Sequence, residues 1–349
     1  MCFAGMVRAE GLRIVTYAAP FSRAGPGLLL RDLLAGDDPQ LEAALDHLRI
    51  LSADVIVLTS FDFDHDLLAL REVARQLARD GPGPGADYQH IFSILPNAGM
   101  ATGLDLDGNG RRGEARDAQG YGRFAGEGGL AVLSRWPVDL VADYSVAVWA
   151  ELPFATLPTW PDGRPFPSAE VRAVQRLSST GHWHLAVAHP AGRFDLLVWS
   201  ATPPAFDGPE GLNILRNQDE TLFWPALWAT WQGEVAPFVL VGNANLDPVD
   251  GGGRHQAMAG LLAHPLLQDP GPRQTAVPLP RLPHQTGPPA LANAHWEGIG
   301  ALRVSYILPS AGWELRGAGL RVTRVDDPAG PHYPVWVDLG PPPAPLVLP

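Results

Sequence analysis

Lysine is absent from this chain: all 25 basic residues are arginine. That excludes chemistry run through a lysine amine, including a phosphate-binding P-loop and a Schiff base. Cysteine occurs once, as Cys2, which excludes an intrachain disulfide framework and a cysteine zinc cluster. No run of about 18 apolar residues occurs, so no membrane span is expected. Positive charge is in short supply: 37 acidic residues against 25 basic give a formal net charge of −12. This balance argues against a nucleic-acid partner held by bulk electrostatics, while a local basic cleft stays open. The opening residues MCFAGMVRAEG hold no apolar stretch of the signal-peptide kind. As written the chain is expected to be cytoplasmic, with export open if a leader was removed.

What is present is apolar material and turn residues. Of 349 residues 46% are hydrophobic, enough for a sizeable core. Glycine (38) and proline (36) are both abundant, which predicts many turns and long loops and excludes a helical bundle. Residues 12–17 (LRIVTY) and 54–58 (DVIVL) read as buried strands, and 91–95 and 129–134 (GLAVLS) as a third and a fourth strand. Residues 184–188 and 194–199 flank the turn His189-Pro190-Ala191-Gly192 and predict a hairpin. Residues 238–241, 304–308 and 335–339 are later strands. Asp38-Pro39 reads as a helix N-cap with proline at the first helical position, followed by Leu41, Ala44, Leu45 and Leu48 at helical spacing. Asp64 is placed to cap a second helix that stops at Gly81-Pro82-Gly83-Pro84, and 213–231 repeats Leu, Phe and Trp with helical period. Residues 264–289 are proline-rich and read as a surface excursion. Strands outnumber helices, and hairpins occur beside βα units. The pattern predicts one α/β domain over 1–339, with two packed mixed sheets flanked by helices, and a proline-rich C-terminal tail over 340–349.

Eight segments, taken together and in order, resemble the endonuclease/exonuclease/phosphatase superfamily. They are LRIVTYAAP at 12–20, ADVIVLTSFDFD at 53–64 and GLDLDGNGRRGEARDAQGYGRFAGEGGLAVLSRWPV at 103–138. Then come RLSSTGHW at 176–183, TPPAFDGPEGLNILRNQDE at 202–220, FVLVGNANLDP at 238–248, LRVSYILPS at 302–310 and PHYPVWVDL at 331–339. The resemblance implies a four-layer α/β sandwich of the deoxyribonuclease-I type, with phosphate-ester hydrolysis as its chemistry. It also implies a site holding an Asn after the first strand, a metal-binding Glu after the second and a His after a middle strand. A GDxN turn, a late Asp-Tyr pair and a terminal Asp-His pair complete that site. Such chemistry needs carboxylate oxygens for a Mg²⁺-like ion, a base for the attacking water and donors for the charged phosphorane.

At those positions this sequence reads differently. Ala18 stands where the Asn is implied, Ser60 at the Glu, Ser200 at the His, Asn243 at the Asp of the GDxN turn, Ser305 at the late Asp and Pro331 at the terminal Asp. Asn245 and His332 are retained. A neutral amide takes no proton near pH 7, so Asn243 is no base. Ser60 brings no charge to anchor Mg²⁺. Pro331 supplies neither a side-chain acceptor nor a backbone donor, which leaves His332 without a neighbouring carboxylate to set its tautomer. The expected cleft is therefore electrically neutral.

Other acidic and aromatic groups admit two readings. Asp62 and Asp64 flank the Ser60 position; a helix cap is the plain role of Asp64, and a displaced metal site using Asp62 is the sharper one. Asp207 reads as a loop brace and Asp247 as part of an Asp-Pro turn. Asp105, Asp107 and Asn109 with Gly110 match the first half of a Ca²⁺ loop, but its twelfth position is Arg116 rather than Glu. Glu114 and Asp117 are near enough in sequence to complete a looser Ca²⁺ site; a solvated, turn-rich loop is the other reading. His182-Trp183 reads as a packing and hydrogen-bond element, and Trp199, Trp224, Trp228 and Trp231 as core or interface anchors rather than nucleotide-stacking platforms. The functional expectation is a pseudoenzyme that binds a protein partner or small ligand and needs no cofactor. One alternative is an active Mg²⁺- or Mn²⁺-dependent phosphoesterase with a migrated site built from Asp62, Asp64, Asp207, Asp247 or His332. Another is a structural subunit of a larger assembly.

Overall fold

The computed structural model describes residues 11–79 and 87–348. Cys2 and the expected Gly81–Pro84 helix stop lie outside the described residues. The strands, in chain order, are β1 (Leu12–Tyr17), β2 (Val55–Phe61), β3 (His90–Phe92), β4 (Gly129–Ser134), β5 (Val138–Asp143), β6 (Gly181–His189), β7 (Gly192–Ser200) and β8 (Gly233–Val235). They continue with β9 (Phe238–Asn243), β10 (Ala294–Trp296), β11 (Gly300–Leu302), β12 (Ser305–Pro309), β13 (Leu315–Leu320), β14 (Val335–Leu339) and β15 (Leu346–Leu348). The helices are α1 (Leu28–Ala35), α2 (Pro39–Leu51), α3 (Leu68–Arg79), α4 (Ala169–Arg172), α5 (Leu212–Trp228) and α6 (His255–Leu262).

Two large sheets carry the fold. One has six strands in the order β13-β14-β1-β2-β4-β3, and the other has five in the order β12-β9-β7-β6-β5. Each contains one parallel pair near its centre, β1 with β2 and β7 with β9; the other pairings within these sheets are antiparallel. A parallel pair needs a crossover, and α1–α2 and α5 supply the two crossovers. Both sheets are covered on both faces, so their central strands read as nearly continuous apolar runs.

The period-2 alternation sorts those runs into layers. Val15, Tyr17, Ile56 and Leu58 face outward and pack on Leu41, Leu45 and Leu48 of α2 and Leu70, Val73 and Leu77 of α3. Ile14, Val55, Val57 and Val132 face inward and meet Leu185, Phe194, Val198, Val241 and Ile307 of the second sheet. On the far side of that sheet Leu197, Trp199, Leu240 and Tyr306 pack against Phe223, Trp224 and Trp228 of α5 and Met258 of α6. The order is helix, sheet, sheet, helix: the four-layer α/β sandwich. Among the described residues no helix is long and apolar enough to cross a membrane.

Local chemistry sets the helix starts. The Asp38 carboxylate accepts from Gln40 N–H at 2.8 Å and Leu41 N–H at 3.2 Å, with Pro39 at the first helical position. Asp64 accepts from Leu68 N–H at 2.6 Å and Ala69 N–H at 3.0 Å at the start of α3. Several strands run further than the sequence predicts, notably β6 and β7, which extend to the turn and to Ser200. Leu346–Leu348 adds a finding: it pairs antiparallel with β8, which ties these three residues to the body.

Candidate functional site

The parallel pairs define one end of the molecule. Ligands of α/β sheets gather at the carboxyl ends of parallel strands, because loops leaving those ends converge there. In the first sheet Tyr17 pairs with Leu58; Ala18 follows directly and Ser60 lies two residues past Leu58, where the β2–β4 register shifts. Both are half-buried. In the second sheet the β7–β9 ladder ends with Ser200 opposite Asn243, and β12 begins with Ser305 opposite Asn243. The structure thus brings Ser200, Asn243 and Ser305 into one row across three strands. All three are buried. Gly242 makes the row possible: a Cβ there would lie 1.8 Å from the Trp199 carbonyl oxygen.

The Asn243 amide is engaged locally. Asn245 holds a left-handed backbone with φ of 51°, a conformation that asparagine tolerates better than most residues. Asn243 Nδ2 donates to Asn245 Oδ1 at 3.1 Å, Asn245 N–H donates to Asn243 Oδ1 at 3.1 Å, and Asn245 Nδ2 donates to the Ala201 carbonyl at 2.8 Å. Asn293 braces the far side. Its Oδ1 accepts from Val304 N–H (2.9 Å) and Ser305 N–H (3.1 Å), and its Nδ2 donates to Ser305 O (2.7 Å).

His332 stands just before β14. It bridges to Ala294, and its ring meets the Trp296 ring edge-on at 5.0 Å. Burial pushes its imidazole down to about 4. Its Nδ1 and the Ser305 Oγ are buried without a hydrogen-bond partner, as are the hydroxyls of Thr16 and Thr59. Pro331, beside it, is exposed.

The flanking carboxylates are committed to backbone amides. Asp62 Oδ2 accepts from Arg23 N–H at 2.7 Å and Oδ1 from Gly128 N–H at 2.9 Å; burial nevertheless raises its pKa above the usual carboxylate range. Asp207 accepts from Asn213 N–H (2.6 Å) and Ile214 N–H (2.9 Å) at the start of α5. Asp247 accepts from Val249, Asp250 and Arg303 N–H groups. Each therefore pins a loop around the cleft. Ala18, Ser60, Ser200, Asn243, Ser305 and Pro331 offer no carboxylate to a divalent ion, and Asp62, Asp207 and Asp247 each accept backbone N–H groups.

One acidic cluster lies elsewhere. Asp105, Asp107 and Asp117 each place a ligand oxygen within 4.8 Å of the others. Asn109 Nδ2 links Asp107 Oδ2 (3.1 Å) to Glu114 Oε2 (2.7 Å). The loop closes on itself: Asp105 accepts from Gly108, Asn109 and Gly110 N–H groups, and Asp117 from Leu106 and Glu114 N–H groups. Partial burial, then the charges of Asp117 and Asp105, raise the Asp107 pKa.

Sequence reasoning missed the buried polar core beneath the cleft. Arg216 and Glu220, on one face of α5, are both buried. Arg216 donates to the carbonyls of Gln119, Arg176, Leu177 and Ser178, and Glu220 accepts from Ser179 N–H and Oγ–H and Thr202 N–H. His182 is buried beside them; its Nδ1 accepts from the Ser178 hydroxyl and its Nε2 donates to Glu220 O. The available signal was the run RNQDET inside an otherwise Leu/Phe/Trp-patterned helix, a polar face that only a buried network satisfies.

The fold is the deoxyribonuclease-I-like α/β sandwich. Residues 28–332 match the model of the Endonuclease/Exonuclease/phosphatase family, and the chain belongs to that family. Solved structures share the fold at low identity. An endonuclease/exonuclease/phosphatase from Beutenbergia cavernae is 17% identical with a TM-score of 0.56, covering 97% of this chain and 73% of that one. A family protein from Leptotrichia buccalis is 11% identical with a TM-score of 0.51, covering 94% and 99%. The endonuclease/exonuclease/phosphatase from Bacteroides vulgatus is 9% identical with a TM-score of 0.50, covering 94% and 98%. No curated protein matches the sequence.

Proposed function

We propose that this chain is a family member that has kept the scaffold and given up hydrolysis, and that it acts as a binding module. The observation that supports this is the Ser200–Asn243–Ser305 row, three neutral side chains where the chemistry calls for a histidine and two carboxylates. Losing a general base alone lowers a rate by about 10²–10⁴, and losing the metal anchor lowers it further. A displaced site is less well supported, because Asp62, Asp64, Asp207 and Asp247 all spend their oxygens on backbone N–H groups. The test is turnover of bis(4-nitrophenyl) phosphate and 4-nitrophenyl phosphate with Mg²⁺, Mn²⁺ or Ca²⁺. The reading predicts rates equal to the metal-only blank. Metal-dependent turnover that disappears in His332→Ala or Asn245→Ala would overturn it.

A further inference from the structure

A second concavity lies at the opposite end of the five-stranded sheet. The carboxyl ends of β7 and β9 form the cleft, whereas their amino ends border a groove of about 960 Å³. Its floor is the outer face of β6 and β7, just beyond the point where α5 stops covering them, with His184, Arg193 and Asp195. Trp231, after α5, lines one side. Pro342, Pro343, Ala344 and Pro345 also line the groove, in a strap held on one side by Gly340 N–H donating to Glu314 O and on the other by β15 pairing with β8.

The polar floor is charge-balanced. Asp195 is buried and takes Arg193 Nε at 2.8 Å, Arg193 Nη2 at 3.2 Å and His184 Nε2 at 2.7 Å. In the neutral ring a carboxylate at Nε2 holds the proton on that nitrogen, which leaves Nδ1 as an acceptor. Among the described residues it has no hydrogen-bond partner. Arg193 is half-exposed and keeps N–H groups beyond the two given to Asp195. With the ring neutral, the floor therefore offers an acceptor and a donor held on one carboxylate. A hydroxyl both donates and accepts, and neighbouring ring hydroxyls satisfy such a pair. The rigid C–H surfaces of three prolines and the Trp231 ring suit the apolar face of a sugar ring. Exposed Glu234 on the lining and the chain's net charge of −12 disfavour an anion.

We propose that this groove is a binding site for neutral saccharides, independent of the cleft at the other end of the sheet. The test uses the full chain with cellobiose, maltose and N,N′-diacetylchitobiose, followed by saturation-transfer NMR and calorimetry, with glucuronic acid and adenosine as comparison probes. At least one of the three sugars is expected to bind, with its ring protons saturated. His184→Gln and Arg193→Gln, which keep polar side chains on the surface, should each weaken that binding by about tenfold or more. Trp231→Ala should do the same. Asn245→Ala, in the cleft, should leave it unchanged. Circular dichroism melts identify any variant that fails to fold, and the two glutamine variants carry the test if Trp231→Ala does. No binding by any of the three sugars, preference for glucuronic acid or adenosine, or sugar binding that survives both glutamine variants would overturn the assignment. Loss of sugar binding in Asn245→Ala would place the ligand in the cleft and equally overturn it.

Discussion

Asn243 faces Ser305 at the first register position of the β9–β12 ladder. Partners at such positions hold their Cα atoms about 4.5–5.5 Å apart. Two carboxylates there, without a cation between them, would force one to stay protonated. An amide opposite a hydroxyl carries no such penalty, and Asn293 clamps the Ser305 backbone on its other side.

Introducing two acids should expose that penalty. The double variant Asn243→Asp, Ser305→Asp is expected to have raised carboxyl pKa values in the folded state. Its stability relative to the parent then falls as pH rises from about 4 to 8, since the unfolded acids ionise near 4 and the folded pair resists. Thermal melts across that range provide the measurement. A pH-independent difference between the two proteins would contradict the account.

Asp62 separates a brace from a metal ligand. Both its oxygens accept backbone N–H groups, from Arg23 and Gly128. Asp62→Ala should therefore cost about 1–3 kcal/mol in urea unfolding, the penalty of stranding buried donors. Manganese affinity, measured on the same variant by calorimetry, should not change. Intact stability with lost Mn²⁺ binding would instead favour a migrated metal site.

His182 gives stability a defined pH slope. Burial lowers its pKa from 6.5 to about 4. The folded state thus holds the neutral ring, and the unfolded chain takes the proton first. The contribution is complete above pH 6.5 and is lost as pH falls toward 4, about 3 kcal/mol in all. Urea midpoints for parent and His182→Gln should converge as the pH is lowered through that window. Parallel curves would refute this.

The acidic loop responds to charge. Partial burial and two neighbouring carboxylates raise the Asp107 pKa. Asp107→Asn removes that repulsion while keeping an acceptor for Asn109 N–H. A small rise in melting temperature is expected in EDTA-containing buffer at pH 8, shrinking toward zero at pH 4, where the carboxyls protonate. A fall at pH 8 would mean that the charge itself holds the loop.

The layered core was the legible part of this protein. β1, β4 and β14 stand at the residues their apolar runs predict, because strands covered on both faces leave an uninterrupted hydrophobic signature. The edge strands β5 and β13 left no such mark. β5 (VDLVAD) exposes Leu140 and Val141, and β13 (LRGAGL) is interrupted by glycine, so neither shows the pattern of a buried strand. The pairing of Leu346–Leu348 with β8 depends on a partner over a hundred residues away, which a proline-rich segment does not announce. Around the cleft, motif order located Ser200, Asn243 and Ser305, which the ladders place side by side. Asn293 lay outside every recognised segment, since a lone asparagine between prolines and alanines reads as a turn residue. Its role depends on where β12 begins.

Manganese offers the most direct test of whether the cleft still holds a divalent ion. Crystals of the intact protein, soaked in MnCl₂ at pH 7.5 and measured at the manganese absorption edge, should show no anomalous peak among Ala18, Ser60, Ser200, Asn243, Ser305 and His332. A manganese ion bound to side chains of that cleft, and lost with phosphodiesterase turnover in Asn245→Ala, would contradict the account.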